Sequence, residues 1–267
     1  RGLGDVYKRQ AVLSPAKRLG TCPLPKSIAT TSPRMANESR KLVEIMRTFD
    51  ATGLSELMHI SPSLAEENVQ RFAAWKRTGT AEAEPAVCLF QGDVYRGLAV
   101  DGWKAAEHRR AASHLRILSG LYGLLRPHDM ILPHRLEMGT KLDHDRGRGL
   151  PAWWGGQITA TLTEDLQHAK SKAIVNLASA EYAKAVQWDD LPVPSVTCAF
   201  QETKGGKHRT LAAFAKPARG MFARWMLDAK PKSTDDLKAF NVEGYKFVAG
   251  ASDASTLVFR RPQPTAA

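Results

Sequence analysis

Four short polar segments hold the groups in this chain that could do chemistry together. They are Ser14-Pro15-Ala16-Lys17, Arg135-Leu136-Glu137-Met138-Gly139-Thr140-Lys141, Asn176-Leu177-Ala178-Ser179 with Glu181-Tyr182, and Ala215-Lys216-Pro217-Ala218-Arg219-Gly220. Each lies where an apolar run ends or a helical pattern begins, and loops at such places usually carry function. Lysine offers a point charge and arginine a planar fork, and both suit phosphate or carboxylate. Should Lys17, Arg135, Lys141, Lys216 and Arg219 converge, they make an anion-binding cleft, with Ser14, Thr140, Asn176 and Ser179 as its neutral hydrogen-bonding groups. Glu137 and Glu181 then separate the cations or act as acid and base, and Tyr182 is a third catalytic candidate. Taken singly, each cluster reads as a solvated strand end with local ion pairs, which are common and weak. No motif requires a cofactor, so the identity of any cofactor stays open.

The elements that must position these groups are a mixture of helices and strands. Residues 11–13 read as the end of a buried strand that Pro15 stops. Leu42, Ile45, Met46 and Phe49 fall at helical spacing, as do Ile158, Leu162 and Leu166. A helix is also expected over residues 55–60, and Ser61-Pro62-Ser63 caps another. Residues 86–90 and 173–177 are short apolar runs read as strands. Residues 195–200 and 209–214 suggest hairpin partners joined through Lys204-Gly205-Gly206-Lys207, with a helix over 218–227 and a last strand pair at 245–249 and 256–260. No fixed-period repeat or linker divides the chain. The expected fold is α+β: a single compact domain over residues 11–261 with a mixed, partly antiparallel sheet flanked by helices, rather than a doubly wound one.

Composition sets limits on the class. A chain of 267 residues, 43% hydrophobic and 24% charged, can bury an ample core. Its net charge of +11 favours anionic partners. The opening RGLGDVYKRQ resembles translated sequencing adapter, so residues 1–10 are set aside, and a short Pro-rich tail at 262–267 is expected to be disordered. Without the opening segment the charge is about +9, still basic. Three widely spaced cysteines, Cys22, Cys88 and Cys198, argue against a disulfide framework or zinc site and suit a reducing cytoplasm. No apolar run is long enough to span a membrane. A monomer is expected.

The motifs LSPAK at 13–17, LSGLYGLLRP with RLEMGTKL across 118–142, NLAS with EY across 176–182, and AKPARG at 215–220 occur in this order. Phe240-Asn241, Gly244-Tyr245, Ser252 and Phe259-Arg260-Arg261 complete the pattern. Together they resemble the peroxide stress resistance protein YaaA family, and the resemblance runs from Ala11 onward. Two positions depart from the family pattern: His128, where an apolar residue is usual, and Pro217, where a basic one is usual. The resemblance implies a bacterial cytoplasmic protein that limits reactive iron under peroxide stress. It also implies a compact α+β fold, a positive cleft, and non-specific binding of double-stranded DNA through a helix-hairpin-helix-like element.

Residues 116–142 could supply that element. Leu115, Leu118 and Leu121 then anchor a first helix, Gly120 and Gly123 make the turn, and Leu124 and Leu125 begin a second arm. Arg109, Arg110, Arg116 and Arg126 flank it as phosphate contacts. The competing reading is a helix-turn packing element. His128, His134 and His144 lie in or beside this block, but the expectation is that no metal is held. Trp153-Trp154 reads as core or cleft wall. Two functions remain: a DNA binder without enzymatic activity, or an enzyme or binder of an anionic small molecule acting in the cleft.

Overall fold

The computed structural model describes residues 9–76 and 81–264. β1 (Arg9–Leu13) runs through Ser14-Pro15-Ala16-Lys17 into β2 (Arg18–Leu19). Helices α1 (Ala36–Met46), α2 (Ala51–Met58) and α3 (Pro62–Ala74) follow. Next come β3 (Glu84–Pro85), the single turn α4 (Ala86–Leu89), β4 (Phe90–Gln91) and α5 (Asp93–Leu98). α6 (Ala105–His114) leads directly into β5 (Leu115–Ser119), which returns as β6 (Gly123–Leu125). After the short strands β7 (Met130–Ile131), β8 (Asp143–His144) and β9 (Gly147–Arg148) come α7 (Leu150–Trp154) and α8 (Gln157–His168). β10 (Ala173–Asn176) is followed by α9 (Ala180–Ala183), β11 (Ser195–Lys204) and β12 (Lys207–Arg209). α10 (Ala212–Ala229), β13 (Lys246–Phe247) and β14 (Thr256–Pro262) close the described fold.

One sheet of eight strands, ordered β13-β14-β11-β10-β1-β5-β6 with β12 beside β11, forms the centre. It is mixed, as the hairpin-like late strands led one to expect. β5–β6, β11–β12 and β13–β14 are antiparallel. The five inner strands β14, β11, β10, β1 and β5 are parallel, which the hairpin signals at the edges concealed. All residues of β1, β5 and β10 are buried, as expected of strands covered on both faces. The inner strands have a doubly wound order, contrary to expectation. From β1 the chain goes to β5 on one side, then to β10 on the other. The direction of winding therefore reverses between β1 and β10. In open sheets with such a reversal, a crevice opens beyond the carboxyl ends of the two strands flanking it.

Several expectations need correcting. Residues 86–90 form one helical turn and only the start of a strand, because the Ala86 and Val87 N–H groups are taken by the Asp129 and Pro127 carbonyls. Residues 212–214 belong to α10, so the hairpin arm of β12 ends at Arg209. Arg9 and Gln10, set aside as adapter, pair with Ala173 and Ile174 in β1, and residues 1–8 lie outside the described residues. Of the expected disordered tail, Pro262 ends β14 and 265–267 lie outside the described residues.

The helix-hairpin-helix expectation is also overturned. The Gly120–Gly123 turn joins two buried strands, with Ile117 opposite Leu125 and Leu118 opposite Leu124. Leucines three apart fit a helix face or a strand buried on both sides equally well, and burial on both sides decides for the strand. Cys22 and Cys88, 66 positions apart, are disulfide-bonded with Cα atoms 4.8 Å apart, while Cys198 is free and buried. The widely spaced cysteines, read as arguing against a disulfide framework, do supply this one bond. Among the described residues no helix is long and apolar enough to cross a membrane.

Candidate functional site

The crevice at the winding reversal is where the predicted clusters meet. Ser14 follows the carboxyl end of β1, and Ser179 follows that of β10. The Ser179 N–H donates to Ser14 Oγ at 2.8 Å, and the two hydroxyls lie 3.3 Å apart. Tyr95 Oη holds the Ser14 carbonyl at 3.1 Å. Asn176 shapes the approach: its Oδ1 accepts the Ala178 N–H at 3.0 Å, and its Nδ2 donates to Thr197 Oγ1 at 3.3 Å. The segments carrying the paired serines are thus fixed by side-chain hydrogen bonds, mostly to backbone, without a ligand.

A cleft of about 490 Å³ opens beside them. Nine of the predicted residues line it: Ser14, Lys17, Arg135, Glu137, Ser179, Glu181, Tyr182, Lys216 and Arg219. Glu137 bridges two cations, at 2.9 Å from Lys17 Nζ and 3.1 Å from Arg135 Nη2. Glu181 Oε1 accepts the Gly139 N–H at 2.8 Å and so ties α9 to the 135–141 segment. Burial, then the negative charges of Glu181 and Glu137, push the Tyr182 phenol far above its ordinary range, so it stays protonated. Tyr182 can donate a hydrogen bond but cannot serve as a base near neutral pH.

Lys216 and Arg219 reach the cleft because α10 lies unusually close to α5. A Cβ on Gly220 would stand 1.8 Å from the Val94 carbonyl oxygen, and one on Gly97 would stand 2.1 Å from that of Pro217. Only glycine permits this approach. Pro217 gives up one helical N–H at the same crossing. Neither Lys216 nor Arg219 has a carboxylate partner among the described residues, and burial lowers the Arg219 pKa.

Three predicted cleft residues fall elsewhere. Thr140 is buried and not on the wall, with its carbonyl accepting from Leu150. Lys141 is exposed and not among the lining residues, and Asn176 serves the turn described above. Five polar wall residues were not foreseen: Arg18, Gln91, Asp93, Arg96 and Ser119. Arg18 adjoins the LSPAK landmark and could have been included. Arg96 sits on α5, whose role shows only once α5 meets α10. The lining then holds six cations (Lys17, Arg18, Arg96, Arg135, Lys216, Arg219) against Asp93, Glu137 and Glu181.

The proposed DNA hairpin does not form a surface. Gly120 is packed so that a Cβ would lie 2.2 Å from the Leu136 carbonyl, and Gly123 so that one would meet Met35 and Trp154. Arg116 is buried in an ion pair with Asp165 at 2.6 Å, which Arg34 also contacts at 2.7 Å. Burial alone would raise the Asp165 pKa, but these two guanidinium groups outweigh it and hold the carboxyl below its ordinary range. Arg126 pairs with Asp129 and Arg110 with Glu107, while Arg109 is exposed. Trp153 and Trp154 are core, as expected of a cleft or core wall.

The histidines do not gather. His128 Nε2 faces His108 Nδ1 at 3.1 Å, His134 Nδ1 faces the Leu132 carbonyl at 2.8 Å, and His144 Nε2 faces that of Gly149 at 3.0 Å. Among the described residues no three His, Cys, Asp or Glu side chains are grouped as a metal site.

A family described as peroxide stress protein YaaA matches residues 10–251. The chain belongs to that family. Relatives named UPF0246 protein come from Laribacter hongkongensis (45% identical over 253 residues), Bordetella avium (43% over 251) and Aliivibrio fischeri strain MJ11 (42% over 254). Each alignment covers 94% of this chain and 98% of the relative. In this YaaA-family chain His128, the departure noted above, is buried against His108, and burial followed by that neighbour's charge lowers its pKa to about 4. A neutral histidine therefore packs there.

Proposed function

We propose that this YaaA-family chain contributes to peroxide-stress protection as a cytoplasmic protein that binds a small anionic molecule, phosphate- or carboxylate-bearing, in the cleft. One observation carries the reading. Segments more than 200 residues apart in sequence bring Ser14, Lys17, Arg135, Ser179, Lys216 and Arg219 to one hollow, with Lys216 and Arg219 left without a carboxylate among the described residues. Arg219 is half-buried, and burying an unpaired cation is costly, so an incoming anion removes a cost there that exposed Lys216 does not bear. The neutral Tyr182 phenol offers the bound molecule a hydrogen bond, while Glu137 and Glu181 hold the cations and the loop. Limitation of reactive iron is then the cellular outcome that the family resemblance implies.

Titration calorimetry with inorganic phosphate and pyrophosphate tests the reading. The wild-type chain binds at least one of them, and Arg219→Met and Lys216→Met each weaken it about tenfold or more, as loss of a charge-assisted bond requires. No heat from either probe, or unchanged affinity in both variants, would overturn it.

A second reading rests on the β11–β12 tip. Lys204, Lys207 and Arg209 are exposed there, without carboxylate partners among the described residues, around the left-handed Gly205 and Gly206. Lys204 stands directly opposite Lys207, a like-charge pair that folding does not favour. A polyanion backbone such as double-stranded DNA relieves that repulsion. Exchanging all three cations for Gln should reduce the salt dependence of duplex binding by about three phosphate contacts. An unchanged slope counts against DNA contact at this tip.

A further inference from the structure

We propose that Cys22 and Cys88 form a redox-modification site whose oxidation fixes the wall between the cleft and a neighbouring hollow. The wall is the ribbon of β2 and β4. It holds by only two residue pairs, Arg18 with Gln91 and Leu19 with Phe90, plus the Gly20 N–H donated to the Leu89 carbonyl at 2.9 Å. So short a ribbon is marginal by itself. Cys22 lies just beyond β2, and Cys88 lies in α4 just before β4, so the bond closes the ribbon at its end. Arg18, Gln91, Gly92 and Arg96 line both the cleft and a second hollow of about 580 Å³. Holding the ribbon therefore holds part of a shared partition and one of the cleft's cations, Arg18.

The chemistry balances with hydrogen peroxide as oxidant. Cys22, at 9% exposed, is the sulfur reached first, and Cys88 is fully buried beside it. The Cys22 thiolate attacks one peroxide oxygen, the O–O bond breaks, and a sulfenic acid and one water form. The Cys88 thiolate then attacks the Cys22 sulfur, the S–O bond breaks, and the second water leaves with the remaining proton. Two thiols lose two electrons, and one peroxide becomes two waters. In a reducing compartment such a bond persists only while oxidant is present, which makes the pair responsive rather than permanent. Cys198 is a buried free thiol whose pKa burial raises, so it serves as an internal reference.

The test needs no ligand, and it stands apart from the anion reading. The full chain is reduced and then treated with peroxide. Alkylatable thiols are counted after unfolding, and hydrogen exchange is followed by mass spectrometry. Wild type should fall from three thiols to one, and exchange across residues 18–22 and 89–93 should slow about tenfold, returning on reduction. Cys22→Ser should keep two alkylatable thiols and show no peroxide-dependent slowing. Should that variant fail to fold, the wild-type thiol count and exchange decide alone. Three thiols surviving peroxide, or a bond that forms without slowing exchange in the ribbon, would overturn the proposal.

Discussion

Arg219 and Asp165 illustrate opposite uses of buried charge. Arg219 is half-buried and unpaired, and burial lowers its pKa. Replacing it with Met should therefore stabilise the ligand-free chain by about 1 kcal/mol, the common gain when a strained functional group is removed. Urea denaturation should show this rise in the same variant that loses anion binding. Asp165 holds Arg116 and Arg34 from inside the fold. Asp165→Ala strands the buried Arg116 charge and should cost about 3–5 kcal/mol. By contrast, removing the exposed Glu44 partner of Arg40 should cost under about 1 kcal/mol in the same assay.

At the scale of elements, the α5–α10 crossing decides whether the cleft exists. Gly220→Ala should destabilise the chain by about 3 kcal/mol or more, because the new methyl meets backbone that cannot rotate away. Unfolding in urea measures the loss, and phosphate affinity should fall with it. Much of this arrangement was legible in the sequence. The polar clusters stood at the ends of β1 and β10 and at the start of α10, and nine of their residues do share one hollow. The rest required three dimensions. Leu115, Leu118 and Leu121 carry the same spacing in a helix and in a doubly buried strand, so the hairpin could not be told from helices by pattern. Arg96 becomes a wall residue only through the packing of α5. The Cys22–Cys88 bond depends on how α4 turns next to the β2–β4 ribbon, which no cysteine spacing reveals.

Across the whole molecule, the parallel order of the inner strands places the crevice, and order among parallel strands leaves no periodic trace in sequence. The interior also sets a pH limit. Burial lowers the pKa of His134 to about 4, against the partial opposition of its bond to the Leu132 carbonyl, and burial with the His108 charge does the same for His128. An unfolded histidine takes up its proton near pH 6.5, so between about 6.5 and 4 the unfolded chain binds more protons and stability falls as pH drops. For His134 alone the loss at pH 5 relative to pH 7 is about 2 kcal/mol, and urea midpoints at the two pH values measure it. A flat profile over that range would show that these imidazoles are not sealed from water.

The contact of Gly97 and Gly220 with facing backbone also bears on how mutational tolerance is read in this protein. In a saturation survey both positions should rank among the least forgiving, although neither lines the hollow. Intolerance alone would therefore mark scaffold and ligand contacts alike. Only variants that stay folded, such as those at Lys216 and Arg219, can tell the two apart.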